Sequence, residues 1–305
     1  MDKPAAPPAS ATFSALADAM RGELKRHCYR MMGGVQDAED CVQEALLRGW
    51  RELASLRDEA MARPWLYSIA TRVCLDALRK RKRRQALFGP SLDEIEPGLE
   101  PWIEPFPGGV PSEGPERGQN LRLAFVSMLH GLSARARAAL LLHDLVGMTA
   151  AEVGTALSIS TDAARSALQR ARAALPLQDA SPTDDVAVES YIKAWNAGDV
   201  NALIGLLHQD IVMTMPPWQR TFRGRDEVAR FMTGVWPRYE AFRTIALVAN
   251  GQPTVALYAK RDGGKFLPHS LHVLGGRGPV SEIVLYAPPL GAQLMATFGL
   301  PPVYE

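Results

Sequence analysis

Between Asp37 and Leu53, apolar residues recur three and four apart, at Ala38, Cys41, Val42, Ala45, Leu46, Gly49, Trp50 and Leu53. That stripe predicts a helix with one buried side. The outer side carries Asp37, Asp40, Glu44, Arg48 and Arg51, with the acids toward the N-terminus, where the helix dipole favours them. A second stripe, Leu66, Ile69, Ala70, Val73 and Ala77, predicts a helix opening at Pro64, a favourable first-turn residue. Its outer side presents Trp65, Ser68, Arg72, Asp76, Arg79 and Arg83, and Cys28, Cys41 and Cys74 all fall within apolar helical patterns. Residues 12–84 thus read as a helical domain of three or four helices.

Residues 120–176 return to helical periodicity and end in a helix-turn-helix pattern. Thr149 through Glu152 has the spacing of a capping box, opening a short helix that buries Val153, Ala156 and Leu157. Ser158-Ile159-Ser160 makes the turn. Glycine is the usual residue there, so Ser158 carries left-handed strain of up to about 1 kcal/mol. Ser160 caps a second helix that buries Ala164, Ala167, Leu168, Ala171 and Leu175 and exposes Thr161, Arg165, Ser166, Gln169, Arg170 and Arg172.

Beyond the breaker stretch from Pro176 to Asp185, residues 186–305 mix helices with alternating strands. Helices are expected at 186–196, 200–207 and 225–236, with Gly198 closing the first and Asp199 capping the second. Strands are expected at 211–215, 242–249, 254–260, 265–274 and 280–286, with Asp262-Gly263-Gly264 a hairpin signal.

Composition adds one thing the periodicity does not show. Across 305 residues, 34 Lys and Arg stand against 33 Asp and Glu, a formal charge of +1, but the charges are segregated. Arg79, Lys80, Arg81, Lys82, Arg83 and Arg84 form an unbroken basic run, whereas Gln85 to Glu116 holds no Lys or Arg, seven carboxylates and seven prolines. Residues 85–119 therefore read as an acidic Pro/Gly linker, too poor in apolar clusters to fold alone. A hydrophobic fraction of 47% excludes a wholly disordered chain, and no apolar run approaches the roughly 20 residues of a membrane span. The start of the chain lacks the pattern of a secretory signal. Three cysteines without a CxxC pair predict reduced, buried thiols, no zinc site and a cytoplasmic location.

Arg and Gln side chains on a second helix reach base edges bidentately, while Ser and further Arg hold phosphates, so Arg165, Ser166, Gln169, Arg170 and Arg172 suit the major groove. The basic run with Trp65 on the same helix suits single-stranded nucleic acid, by stacking and backbone neutralisation. Each has a plainer alternative, a solvated helix face.

His27-Cys-Tyr-Arg-Met-Met-Gly-Gly-Val-Gln-Asp-Ala-Glu-Asp40 with Val42-Gln-Glu44, continued by Arg63-Pro-Trp-Leu-Tyr-Ser-Ile-Ala70 and Cys74-Leu-Asp-Ala-Leu-Arg79, resembles the second conserved region of extracytoplasmic-function (ECF) sigma factors. Leu132-Ser-Ala-Arg-Ala-Arg137 through the helix-turn-helix resembles their fourth region. The resemblance implies core RNA polymerase as partner, through the β′ clamp helices and the β flap, together with promoter DNA. It implies that Asp37, Asp40 and Glu44 dock on the clamp helices. Trp65, Arg72, Asp76, Arg79, Lys80 and Arg83 would engage the −10 element, and Arg165, Ser166, Gln169, Arg170 and Arg172 the −35 element. Many relatives have Asn where Arg72 stands, so the resemblance does not carry their −10 base preference over to this chain. In the family the linker threads the cationic polymerase channel that later carries RNA, where carboxylates mimic phosphates; a plain flexible spacer is the alternative.

In the C-terminal part, Ala194-Trp-Asn-Ala-Gly-Asp199, Phe222-Arg-Gly-Arg225 and Phe298-Gly-Leu-Pro301 resemble SnoaL-like domains, cone-shaped folds with an internal pocket. The fold class expected is multidomain: two all-α helical domains, the second with a helix-turn-helix, plus an α+β SnoaL-like cone. Met213, Met215, Trp218, Phe231, Trp236, Tyr258 and His269 are candidate pocket residues for an unidentified small molecule, and packing alone is the alternative. Strand alternation predicts that only one of His269 and His272 faces the pocket. Asp210 is the candidate acid–base group should the cone be an enzyme. The expectation is instead a non-enzymatic initiation factor, without cofactor or metal, regulated by its fused cone.

Overall fold

The computed structural model of the protein describes residues 9–56, 58–88, 102–109, 121–174, 185–218 and 220–304. They form two compact units, one of helices and one centred on a sheet.

In the helical unit, α1 (Ala9–Met32), α2 (Val35–Arg51) and α3 (Ala62–Phe88) pack against each other. The α2 stripe buries Val35, Ala38, Cys41, Val42, Ala45 and Gly49. Gly49 faces Leu66 and Phe13 so closely that a Cβ would lie 3.0 Å from Leu66, so this position turns inward. Its neighbour Trp50, expected on the buried side, is thereby rotated outward and is 58% exposed, beside Leu47 at 51%. The helix begun before Pro64 runs unbroken through the basic run. Cys28, Cys41 and Cys74 are free and buried. The contact with Cys74 and burial push the Cys41 thiol up, and the contact with Cys28 and burial push the Cys74 thiol up, so both stay protonated.

The second set of helices is α4 (Leu123–His130), α5 (Ala134–Asp144), α6 (Ala150–Leu157) and α7 (Thr161–Ala174). It packs on the first through α3 against α5 and α6. Buried Arg137 donates from Nη1 to the Met31 carbonyl at 2.7 Å and lies equally close to His130 Nε2. The two helical domains, separate in the sequence, thus share one compact unit.

The other unit is built on a six-stranded sheet ordered β2-β1-β6-β5-β4-β3. Its strands are β1 (Leu207–Thr214), β2 (Thr221–Arg223), β3 (Ala241–Ala249), β4 (Gln252–Lys260), β5 (Leu267–Gly275) and β6 (Val280–Tyr286). All neighbours are antiparallel except β1 with β6. The helices α8 (Asp185–Ala197), α9 (Val200–Gly205) and α10 (Arg225–Val235) supply Tyr191, Trp195, Leu203, Val228 and Met232 to its core. Asp199 caps α9 through the Ala202 N–H at 2.9 Å, as expected. A last helix, α11 (Leu290–Thr297), packs on β5.

Residues 102–109, part of the stretch read from sequence as a spacer, belong to this unit. Phe106 donates its N–H to Asn250 Oδ1 at 2.7 Å and accepts from the Asn250 N–H at 2.8 Å. Gly108 bonds to Val248 O and accepts from Gly251 N–H at 2.8 and 2.9 Å, and Tyr286 Oη donates to Ile103 O at 2.7 Å. Ile103 and Phe106 are buried, and Trp102 packs edge-on to Tyr286. A Cβ on Gly109 would lie 2.9 Å from Gly251 Cα, so this approach of two backbones needs glycine. The segment is a strap across the β3–β4 turn. Residues 89–101 and 110–120, which hold six of the seven linker carboxylates, lie outside the described residues.

Candidate nucleic-acid interface and ligand cavity

The helix-turn-helix is locally determined. Thr149 and Glu152 form the reciprocal capping box of α6. Ser158 is left-handed at φ 55°, and a Cβ on Gly154 would lie 2.9 Å from Ile159 O, so the turn folds tightly over a bare backbone. Ser160 Oγ accepts from Ala163 N–H at 3.2 Å and starts α7. That helix buries Ala164, Ala167, Leu168 and Ala171; Leu175 lies outside the described residues. Arg165, Gln169, Arg170 and Arg172 are exposed and Ser166 is half-buried, accepting from Arg170 at 2.6 Å. Arg172 differs from the others. It reaches back to Asp144 of α5 at 2.5 Å, tying α7 to its scaffold.

On α3, Arg72, Arg79, Lys80 and Arg83 are exposed. Asp76 is held between Arg79 at 2.6 Å and Arg48 at 3.4 Å. Its carboxylate therefore orients two guanidiniums. Among the described residues, Arg48, Arg72, Arg79, Arg81, Lys82 and Arg135 line an open cleft of about 850 Å³ against two acids, Asp76 and Glu52. The excess gives the cleft a positive potential that suits a phosphate backbone. Trp65, expected on the outer side, is half-buried instead, in a second cleft with Met61, Pro64 and Arg72 on one wall and Met148, Ala151 and Thr155 on the other. The packing of α6 against α3, invisible along the chain, takes up its ring.

On α2, Asp40 is exposed and, among the described residues, accepts a hydrogen bond from Gln36 alone, at 2.9 Å. Asp37 pairs with Arg81 at 3.4 Å and Glu44 with Arg48 at 2.7 Å. Glu39 is clasped by Arg21 and Lys25, whose hydrogen bonds outweigh burial and hold its carboxyl below the usual range. Leu47 and Trp50, the second of which periodicity assigned to the buried side, add an apolar patch to this acidic face.

The cone encloses a cavity of about 220 Å³ lined by Met215, Phe231, Trp236, Tyr239 and His269, among others. Met213 is buried but does not line it, and Trp218 is 39% exposed, away from it. Tyr258 follows Leu257, which does line it, so it points through the opposite sheet face, where its hydroxyl donates to Pro301 O at 2.8 Å. Asp210 is not among its lining residues, and its side chain is 90% exposed. Both histidines, however, line the cavity. Leu257 pairs with Ser270 but Tyr258 with Pro268, so His269 is an extra residue in β5. This bulge breaks the alternation that would have separated His269 from His272. Burial, and Arg261 nearby, lower His269 to about 4; burial, then His269, lowers His272 to about 3. Both imidazoles are neutral at pH 7.

Among the described residues, no group of three or more His, Cys, Asp or Glu side chains is placed to hold a metal, and no helix is long and apolar enough to cross a membrane. Sigma-70 region 2 matches residues 16–84, Sigma-70 region 4 residues 122–175 and the SnoaL-like domain residues 188–269. The ECF RNA polymerase sigma factor SigG of Mycobacterium tuberculosis H37Rv is 37% identical over 95% of this chain and 84% of its own length. The chain belongs to the ECF sigma factors. SigJ of the same organism is 35% identical over 73% of the chain and 72% of its own length. The crystal structure of M. tuberculosis SigJ aligns over 95% of this sigma factor and 99% of its own chain, with a TM-score of 0.67 and 28% identity. The chain is multidomain, helical sigma regions followed by a SnoaL-like cone, and the SigJ structure aligns across nearly all of it.

Proposed function

We propose that this sigma factor binds core RNA polymerase in the cytoplasm through α2 and directs it to promoters, and that the cone regulates it by holding the linker. In this reading Asp40, Asp37 and Glu44, with Leu47 and Trp50 beside them, face the β′ clamp helices, and the helix-turn-helix sits near the β flap. Arg72, Arg79, Lys80 and Arg83 engage the −10 element, Asp76 positions Arg79, and Trp65 turns out of its cleft to stack there. Arg165, Ser166, Gln169 and Arg170 read the −35 element, with Arg172 bracing their helix.

The strap carries the regulatory half of this reading. Residues 102–109 cannot lie across the β3–β4 turn and run extended through a polymerase channel at once. Capture by the cone competes with engagement of the enzyme, so the free chain is restrained and polymerase binding releases the strap. The cone acts here as a binding module, not as an enzyme.

The test of polymerase binding is co-elution with bacterial core enzyme. Asp40→Lys, which reverses the least-paired acid of α2, should abolish co-elution while leaving the fold intact. Glu39→Lys, at an acid already neutralised, should lower affinity less. Equal retention of Asp40→Lys and the unmodified chain would overturn the assignment of this face.

A further inference from the structure

The basic cleft between α3 and α5 is built from both helical regions, and promoter recognition accounts for only part of it. The region 2 side supplies Arg48, Arg72, Arg79, Arg81 and Lys82. The region 4 side supplies Arg135, in the first turn of α5, with Leu157 and Ser158 at the end of α6. Six cations against two acids leave four positive charges unmatched. Of the acids, Asp76 is already committed to Arg48 and Arg79. Arg72, Lys82 and Arg135 are exposed and have no carboxylate partner among the described residues.

Like charges gathered around one cleft repel one another, and an anion placed among them removes that cost. The cleft is not only charged. Ile69, Leu75, Leu78 and Leu157 add an apolar surface to it. Fixed cations beside an apolar surface suit a molecule with a polyanionic end and a flat, weakly polar body. The volume of about 850 Å³ lies within the range of small-molecule sites, roughly 300–1,000 Å³. A triphosphate ester carries about four negative charges near neutral pH, one on each inner phosphate and up to two on the last. That number matches the excess of the cleft.

We infer that this cleft binds one nucleoside triphosphate, its phosphates among Arg72, Lys82 and Arg135 and its base against the apolar surface. The binding stands apart from the proposed function. Two of the cations, Arg72 and Arg79, are shared with the proposed −10 contacts, so nucleotide and promoter strand exclude each other there.

The experiment is calorimetric titration of the full chain, in magnesium-free buffer, with ATP, inorganic tripolyphosphate and adenosine. Saturable binding of one ATP per chain is expected. Tripolyphosphate should be weaker by about tenfold, the equivalent of roughly 50 Å² of apolar surface left in water, and adenosine should show no saturation. Arg135→Glu and Lys82→Glu each replace an attraction by a repulsion and should weaken ATP about tenfold. Neither residue belongs to the proposed −10 or −35 contacts. Arg84→Glu reverses a charge of the same basic run outside the cleft and should weaken ATP about twofold or less at physiological salt. Absence of saturable ATP binding would overturn the inference. So would tripolyphosphate or adenosine binding as tightly as ATP, or Arg84→Glu weakening ATP as much as Arg135→Glu. If Arg135→Glu fails to fold by circular dichroism, Lys82→Glu against Arg84→Glu still decides. Co-elution of the same preparation with core enzyme is scored separately, so failure of the nucleotide site is distinguishable from failure of the proposed function.

Discussion

Asn250 and Phe106 hold each other through two hydrogen bonds, N–H of Phe106 to Oδ1 of Asn250 at 2.7 Å and N–H of Asn250 to the Phe106 carbonyl at 2.8 Å. They are 144 residues apart, one in the linker and one in a turn of the cone. Asn250 is left-handed at φ 56°, a conformation that presents its side-chain oxygen and its N–H to the same strand. Removing one of these bonds without disturbing the turn is possible, because glycine adopts the same backbone freely.

Asn250→Gly is therefore expected to loosen the strap, and Tyr286→Phe to loosen it again by deleting the bond to Ile103. Each neutral bond is worth about 1 kcal/mol, or roughly fivefold in the captured fraction. Run-off transcription with core enzyme should rise by up to that factor for each variant. A fall would mean that the strap organises the sigma regions rather than restraining them.

The arginines of α7 should separate into two classes. Arg165→Ala removes an exposed guanidinium, paired only with exposed Asp162 one turn away at 3.1 Å among the described residues, so −35 template binding should weaken and the salt dependence should lose about one phosphate contact. Arg172→Ala removes the 2.5 Å tie to Asp144 instead. It should lower the thermal midpoint while changing the salt slope less, and filter binding across a salt series reads both. Equal slopes for the two variants would merge the classes.

The helix-turn-helix was legible in the sequence because each of its determinants is local. The Thr149–Glu152 box, the Ser160 cap and the apolar spacing of α7 lie within a few residues of what they control. The strained Ser158 was legible for the same reason. The outward turn of Trp50 was not, because it depends on Gly49 meeting Phe13 and Leu66 of other helices. Nor was the shared orientation of His269 and His272, since the bulge is set by pairing with β4. The strap was least legible of all, as its partners Asn250 and Tyr286 belong to another domain.

Ser158→Gly should stabilise the chain by up to about 1 kcal/mol by removing left-handed strain. In a unit of this size that raises the thermal midpoint by about 2–4 °C. Calorimetry of the variant against the unmodified chain measures it, and a lower midpoint would contradict the strain.

Acidification should destabilise the protein through histidines that cannot charge while folded. Burial first holds His27 and His130 to about 3, His272 to about 3 and His269 to about 4, against roughly 6.5 in the unfolded chain. Between about pH 4 and 6.5 the unfolded chain takes up protons that the folded chain refuses, so stability falls as pH falls through that window. Each group contributes up to about 1.4 kcal/mol per pH unit below 6.5. The thermal midpoint should drop from pH 7 to pH 5.5, and His272→Gln should shallow the drop; a flat midpoint would contradict it.

The strap's release is tested most directly by hydrogen exchange at the amides of Asn250 and Gly251, which donate to the Phe106 and Gly108 carbonyls. Both should be protected in the free chain and should exchange much faster once core RNA polymerase is bound. Equal protection of these two amides with and without polymerase would mean that the cone keeps the linker during initiation, and the account of its regulatory role would fail.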